Sequence, residues 1–414
     1  MTTYTDPWPA RSQAMASPRR HRVLAPFLVA AVACAAAPST GGSVAFPAGN
    51  PDGHCTSLAL PTGALLADTS HPTTIVGTGT PASCTFAALD AAVKRGGVVT
   101  FDCGPSPVTI AVTATLTPPT SNAYANEPPV NTVIDGGNKV TLDGGGAVRI
   151  LSFVHEGSWQ KNLDSLTLQH LALAHGKATG TQAIPACTAL PNDGCSTGFD
   201  DGQGGALLMR DGQLRIVDVT FTGNEAALLG PDTGGGAIYL LGTATPAYVV
   251  GSTFRNNKAS NAGAFGMLWA GTFVIDSLFE GNAAVGHGAN NDDATKCACV
   301  HAGQHQTGSG GNGGAIYKDG GDGADVTLCG TQVRDNAANE FGAAVFLTGN
   351  GSHAQLALYD SLFKNNTSPV PYWQWCAGVS TDNPHQASAA SSSPAPVNTS
   401  FCDAAGKCTA TCSS

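Results

Sequence analysis

Five segments of this 414-residue chain share one pattern. Each opens with a pair of small residues, then Ala, then an apolar residue. An aromatic or Val follows 14 to 18 positions on, with Asn three places after it. The openings are GGALLMR from Gly204, GGAIYLL from Gly235, AGAFGML from Ala262, GGAIYKD from Gly313 and GAAVFLT from Gly342. The closings are FTGN (221–224), FRNN (254–257), FEGN (279–282), VRDN (333–336) and FKNN (363–366). A repeat of this length constrains the fold more than any composition figure, because one unit cannot bury its own apolar face and must stack on its neighbours.

The stacking dictates where each residue goes. Parallel strands lie about 4.8 Å apart, so Phe221, Phe254, Phe279, Val333 and Phe363 are expected to form an internal apolar column. Asn224, Asn257, Asn282, Asn336 and Asn366 are expected to align in a turn, where an amide bonds the backbone of the next rung. Asp218, Asp276 and Asp360 share one position with Gly251 and Gly330, which reads as turn chemistry. Successive aromatic positions are 33, 25, 54 and 30 residues apart, so inserts of unequal length separate the rungs. Charged residues are only 12% of the chain against roughly 25% in ordinary domains, leaving little material for exposed helices. The expected class is all-β: a single-stranded right-handed parallel β-helix with an N-terminal cap and disulfide-bonded loops.

The GGA[I/L/V] and F-x-x-N marks resemble the polymorphic outer membrane protein repeats. More broadly the chain looks like the pectin-lyase-like right-handed parallel β-helix superfamily. The likeness is strong over 204–366. Upstream, VVTFDCG (98–104), NTVIDGGNKVTLDGGGAVRILSF (131–153) and LDSLTLQHLALAHG (163–176) read as earlier rungs, with FAALDAAVKRGG (86–97) a short capping helix. The resemblance implies a passenger-type coil, here over 55–385; the autotransporter barrel expected of full-length family members is not read in this sequence. Residues 386–414 read as a Ser/Ala/Pro-rich linker and a Cys-rich tail.

The first 37 residues read as an export signal: SPRRHR (17–22) is basic, and the apolar run 23–37 is too short to span a bilayer comfortably. Met15 is an alternative start, and 38–54 is a flexible linker. Cleavage near Ala35 and lipidation of Cys34 in a lipobox-like Ala-Val-Ala-Cys are both open. Of 13 cysteines, loss or lipidation of Cys34 leaves twelve, an even set suited to an oxidising compartment. Expected pairs are Cys84 with Cys103, Cys187 with Cys195, and two among Cys376, Cys402, Cys408 and Cys412. The formal charge of −10 excludes nucleic acid as a natural partner, and no stretch reads as a membrane span. The expected protein is a monomer, secreted or tethered at the bacterial cell surface.

Chemistry is expected where inserts flank the exposed side of the GGA strands. Inserts 183–203, 225–234 and 283–312 all precede the openings and would wall a groove fitted to an extended carbohydrate or cell-surface glycan. That groove would receive Arg210, Asp211, Tyr239, Trp269, Tyr317, Lys318 and Asp319. Lys318 stands where the other repeats carry Met209, Leu240, Met267 and Leu347. It either points to solvent, acts as a base or substrate-carboxylate contact, or snorkels past its neighbours. Arg210 and Lys318 are the catalytic candidates for a pectate-lyase-like elimination, with Asp211, Tyr239, Trp269, Tyr317 and Asp319 as substrate contacts. Asp200, Asp201, Asp292 and Asp293 are candidate calcium ligands, calcium being the one cofactor considered beside zinc. His287, His301 and His305, near Cys297 and Cys299, have zinc-like spacing, although disulfides compete for those thiols. The PYWQW segment (371–375) reads as cover for the C-terminal end of the core or as a sugar platform. None of the superfamily's catalytic motifs is present, so a non-catalytic adhesin or glycan-binding scaffold stands beside the enzyme reading.

Overall fold

The computed structural model describes residues 54–122, 127–180, 202–230, 233–287, 310–320, 324–349, 354–369, 374–376, 379–381 and 393–410. They are mostly β and form three sheets, of 16, 8 and 3 strands, in which nearly all pairings are parallel. Strands from successive repeats lie side by side, an arrangement consistent with a parallel β-helix. A ten-residue helix, Phe86–Arg95, precedes the first long strand; Thr85 caps it by accepting the Ala88 N–H, and Leu89, Ala92 and Val93 face the core. Among the described residues no helix is long and apolar enough to cross a membrane.

The expected column is present. Phe221, Phe254, Phe279, Val333 and Phe363 are in register and buried, and Leu173 and Phe401 extend the column at its two ends. The Phe254 ring stacks on Phe221 at 4.8 Å and on Phe279 at 4.5 Å between centroids. Ala206, Ala237, Ala264, Ala315 and Ala344 are fully buried. The small pairs that open each strand have a steric cause. Gly204, Gly235, Gly313 and Gly342 adopt φ between +61° and +69°, and a Cβ on Gly236 would sit 2.1 Å from the Gly263 carbonyl oxygen of the next rung.

The asparagines form a continuous amide ladder. Each Oδ1 accepts the backbone N–H and the side-chain amide of the preceding asparagine at 2.9–3.1 Å, from Asn257 through Asn366. Each amide also reaches back to a carbonyl of the column strand, as Asn282 does to Phe254. The Asp/Gly row is a left-handed turn throughout: φ is +53° at Asp218, +55° at Gly251, +46° at Asp276, +59° at Gly330 and +47° at Asp360.

Residues 54–73 depart from the expected start of the coil. They do not form a rung; they run across the rungs from the late repeats to the early ones. The segment covers one register row: Asp135, Gln169, Val217, Val250, Ile275, Cys329 and Tyr359. Cys55 bonds Cys329. Leu58, Leu60 and Ala64 pack on Val217, Val250 and Ile275. The Ala67 N–H donates to Gln169, and the Thr69 hydroxyl to Asp135. The strap exists because the middle of the row it covers, Val217, Val250 and Ile275, is apolar where a solvent-facing row would be polar. At the other end, Ser400–Cys402, expected in the tail, adds a further rung against Leu362–Lys364, closed by a Cys402–Cys408 disulfide. Cys84 pairs with Cys103 as expected, while Cys187, Cys195 and Cys412 lie outside the described residues.

Candidate functional site

The GGA strands are Leu207–Arg210, Ile238–Leu241, Phe265–Leu268, Ile316–Asp319 and Val345–Leu347. Their register aligns Met209, Leu240, Met267, Lys318 and Leu347, as the repeat predicts. Met209, Leu240, Met267 and Leu347 belong to the central core, so this row faces inward, and Lys318 is fully buried there. The solvent-pointing reading of Lys318 is therefore corrected: the strand does not slip, and the lysine keeps the inward position of its counterparts.

Arg210 belongs to the other side of the sheet. It aligns with Leu241, Leu268 and Asp319, one residue beyond the lysine row, and successive residues of a strand point to opposite faces. Three rungs, about 14 Å, also separate it from Lys318. The two residues expected to share catalysis are not brought together.

The outward row is itself covered. Leu208, Tyr239, Tyr317 and Phe346 are buried, so the described part of this face is a second apolar layer and not the open groove that the inserts suggested. Large apolar side chains on both faces account for it. Asp319 is buried, accepting the Tyr317 hydroxyl at 3.1 Å and the Gly320 N–H at 2.6 Å. Asp211 is fully buried too, and accepts the Ser158 hydroxyl and the N–H groups of Lys161, Asn162 and Gly212. Such a carboxylate anchors a loop and is closed to substrate.

What that loop positions is on the surface. After the GGA strands the chain turns through a left-handed corner whose residues are Asp211 (φ +60°), Gly242 (+50°), Trp269 (+54°) and Gly320 (+81°). The Asp211-anchored segment climbs this corner: the Gln160 N–H donates to the Gly242 carbonyl and its amide to the Trp269 carbonyl. Trp269, partly exposed, is the expected contact residue that the structure leaves at the surface. Trp159, on the anchored segment and also partly exposed, was not singled out by the sequence, because it lies between rungs where no repeat marks it.

Behind the segment, His155 donates from Nδ1 to the Arg210 carbonyl at 2.8 Å and contacts Asp164 through Nε2 at 2.9 Å. Burial pushes the Asp164 carboxyl up, but the Ser121 hydroxyl and N–H, the Val130 N–H and His155 outweigh it and hold it below the usual range. This cluster fixes the base of the corner.

Two other groupings of ionisable groups are structural. A shallow depression of about 360 Å³ is lined by Asp143, His175, Lys177 and Glu225. Its charges are paired: His175 with Asp143 at 3.2 Å, and Lys177 and Lys258 with Glu225 at 2.9 and 2.8 Å. Cys55, Cys329 and Asp360 converge under the strap, but the two sulfurs are bonded to each other. Of the expected zinc ligands, His287 contacts Glu340 at 3.7 Å and the Asn339 amide at 3.3 Å. His301, His305, Asp200, Asp201, Asp292 and Asp293 lie outside the described residues, as do Trp373 and the side chain of Trp375 in PYWQW.

The family described as the Chlamydia polymorphic membrane protein (Chlamydia_PMP) repeat matches residues 218–240. That span holds the FTGN closing of one repeat and the GGAI opening of the next. No curated protein matches the chain, and no solved structure does. The repeat and the disulfides together point to an extracytoplasmic membrane or surface protein.

Proposed function

We propose that this chain is an exported, monomeric right-handed parallel β-helix that binds extended carbohydrate without cleaving it, at the corner following the GGA strands. The observation that carries the reading is Trp269: an indole laid across Gly320, partly exposed, beside an outward row in which Leu208, Tyr239, Tyr317 and Phe346 are buried. Aromatic surface on a rigid scaffold is the usual recognition element for ligands with both apolar and hydroxylated faces. The lyase version of this function requires a base at the substrate's acidic C–H and positive charge at the neighbouring carboxylate. The inward-facing Lys318 supports the non-catalytic version instead.

A polysaccharide panel tests the reading. The purified protein is expected to be retarded in gels cast with at least one extended glycan, and Trp269→Ala to lose that retardation. Uronate polymers with calcium are expected to give no ultraviolet-absorbing unsaturated product. Appearance of that product would reinstate the lyase, and retardation by no glycan would remove carbohydrate as the ligand. The tether has its own test: a palmitate label lost in Cys34→Ser marks a lipoprotein, and absence of label marks a freely secreted chain.

A further inference from the structure

The corner carries a second indole placed like the first. Trp159 is held by neighbours on three consecutive rungs: Ser158 bonds Asp211, and Gln160 bonds Gly242 and Trp269. Its ring then lies on Gly242. A Cβ built on that glycine would meet Cδ2, Cε2 and Cε3 of Trp159 at 2.4, 2.5 and 2.5 Å. Three ring atoms at nearly one distance mean that the ring lies flat against the backbone. Trp269 repeats the arrangement on Gly320, where Cδ1, Cδ2 and Cε2 are all at 2.8 Å. Both glycines have positive φ, so each site is shaped for an indole and closed to a side chain of its own.

A ring with one face on the backbone turns its other face away from the sheet. The face of an aromatic ring is its negative side, and the axial C–H bonds of a pyranose in chair form are its positive counterpart. The spacing then selects the polymer. Leu241, Leu268 and Asp319 are in direct register, so Gly242, Trp269 and Gly320 follow on three successive rungs. The two ring sites are two strand spacings apart, about 10 Å. A flat, extended chain of equatorially 1,4-linked hexopyranoses advances by about this length over two sugars and then presents the same face again. An axially linked chain curls away after the first contact.

We infer that Trp159 and Trp269 form a two-ring platform for a β-1,4-linked glycan of the cellulose or chitin type, running across the strands. The inference rests on the carbohydrate-binding reading above and narrows it to one linkage class.

Titration calorimetry with cellohexaose, chitohexaose and maltohexaose tests it on the full mature chain. At least one β-1,4-linked hexamer is expected to bind and maltohexaose not to. Trp159→Ala and Trp269→Ala are each expected to weaken binding at least tenfold, and the Trp→Tyr variants to retain most of it. Thermal melts confirm that the variants are folded, and the Trp→Tyr pair decides if an alanine variant is not. Undiminished binding in the Trp159→Ala/Trp269→Ala double variant overturns the platform. Binding of another panel polysaccharide with no β-1,4-linked hexamer bound overturns the linkage assignment while carbohydrate binding stands. Failure of every glycan overturns both.

Discussion

Replacing Asn282 by Ala tests whether the amide ladder holds the rungs together. Asn282 is 1% exposed. Its Oδ1 accepts the Asn257 N–H at 3.0 Å and the Asn257 amide at 2.9 Å, and its own amide donates to Asn336 Oδ1 at 2.9 Å and to the Phe254 carbonyl at 3.0 Å. Alanine deletes all four bonds and strips the Asn257 N–H and one Asn257 amide hydrogen, in a place water does not reach, while the Phe254 carbonyl keeps its ladder bond. At about 1–3 kcal/mol for each of the two buried donors left unsatisfied, the loss is about 2–6 kcal/mol, a large part of the ~5–15 kcal/mol that ordinary proteins have in total. Asn366→Ala is the internal control. That residue ends the described ladder, is partly exposed, and engages Asn336 and the Val333 carbonyl, so water can take over its bonds at a cost of about 1 kcal/mol. Urea unfolding followed by far-ultraviolet circular dichroism compares the two. Equal midpoints for the two variants, or a shift for Asn282→Ala worth under about 1 kcal/mol, would refute the ladder as a source of stability. Asn282→Asp adds a check of mechanism: it keeps the acceptor but points a carboxylate at Asn336 Oδ1, so its defect should ease on acidification.

Other outcomes follow from the strap and the site. Burial lifts the Asp276 carboxyl to about 6, against the Cys55 N–H and the nearby His54, with Asp360 adding to the lift. The folded state thus holds this proton more tightly than the unfolded chain, and stability falls as pH rises from about 4 to about 6. Asp276→Asn should melt higher than wild type at pH 7.5, by up to about 3 kcal/mol, and equal it near pH 4; identical pH–melting profiles would exclude the effect. Asp360 has the opposite sign. Burial raises it, but the hydrogen bonds from Asn398, Ser57 and Thr56 together outweigh that and hold it well below the usual range, so its contribution is present above about pH 4 and lost on acidification. Breaking Cys55–Cys329, which closes 274 residues, is expected to cost on the order of 5 kcal/mol by the loop-entropy relation, read as a lower melting temperature for Cys55→Ser/Cys329→Ser. Lys318→Met should leave glycan affinity within twofold; a large loss would return the lysine to the binding site.

The parts legible in the sequence are those that repeat. The Ala, Phe and Asn rows could be aligned because each rung restates the same requirement, and even the odd Lys318 was placed in register against Met267 and Leu347. Its direction was missed, although four apolar counterparts already specified the inward side. The strap was not legible, since CTSLALPTGALL carries no periodicity and its disulfide partner is 274 residues away. A faint signal existed in Val217, Val250 and Ile275: these alternate with core residues and should have been polar unless something covered them. Cys84–Cys103 was readable because its short separation leaves few partners, whereas Cys402–Cys408 is one of several pairings that four clustered cysteines left open. Trp159 gave no signal, because its meaning depends on Gly242, 83 positions later in the chain, offering a backbone with no side chain.

The strap also bears on how such a chain is completed during synthesis. Each rung needs only the one before it, so the early coils can stack as they emerge from the ribosome. The strap is made first and seated last, because the row that receives it runs to Cys329 and Tyr359. Until those residues arrive, Cys55 has no partner and Leu58 and Leu60 have only part of their cover. A chain cut short before Cys329 would hold well-formed coils and an unfastened leading end. Seating that end converts a row of locally cooperative units into one that opens as a whole, and gives the finished molecule a mark that no truncated copy carries.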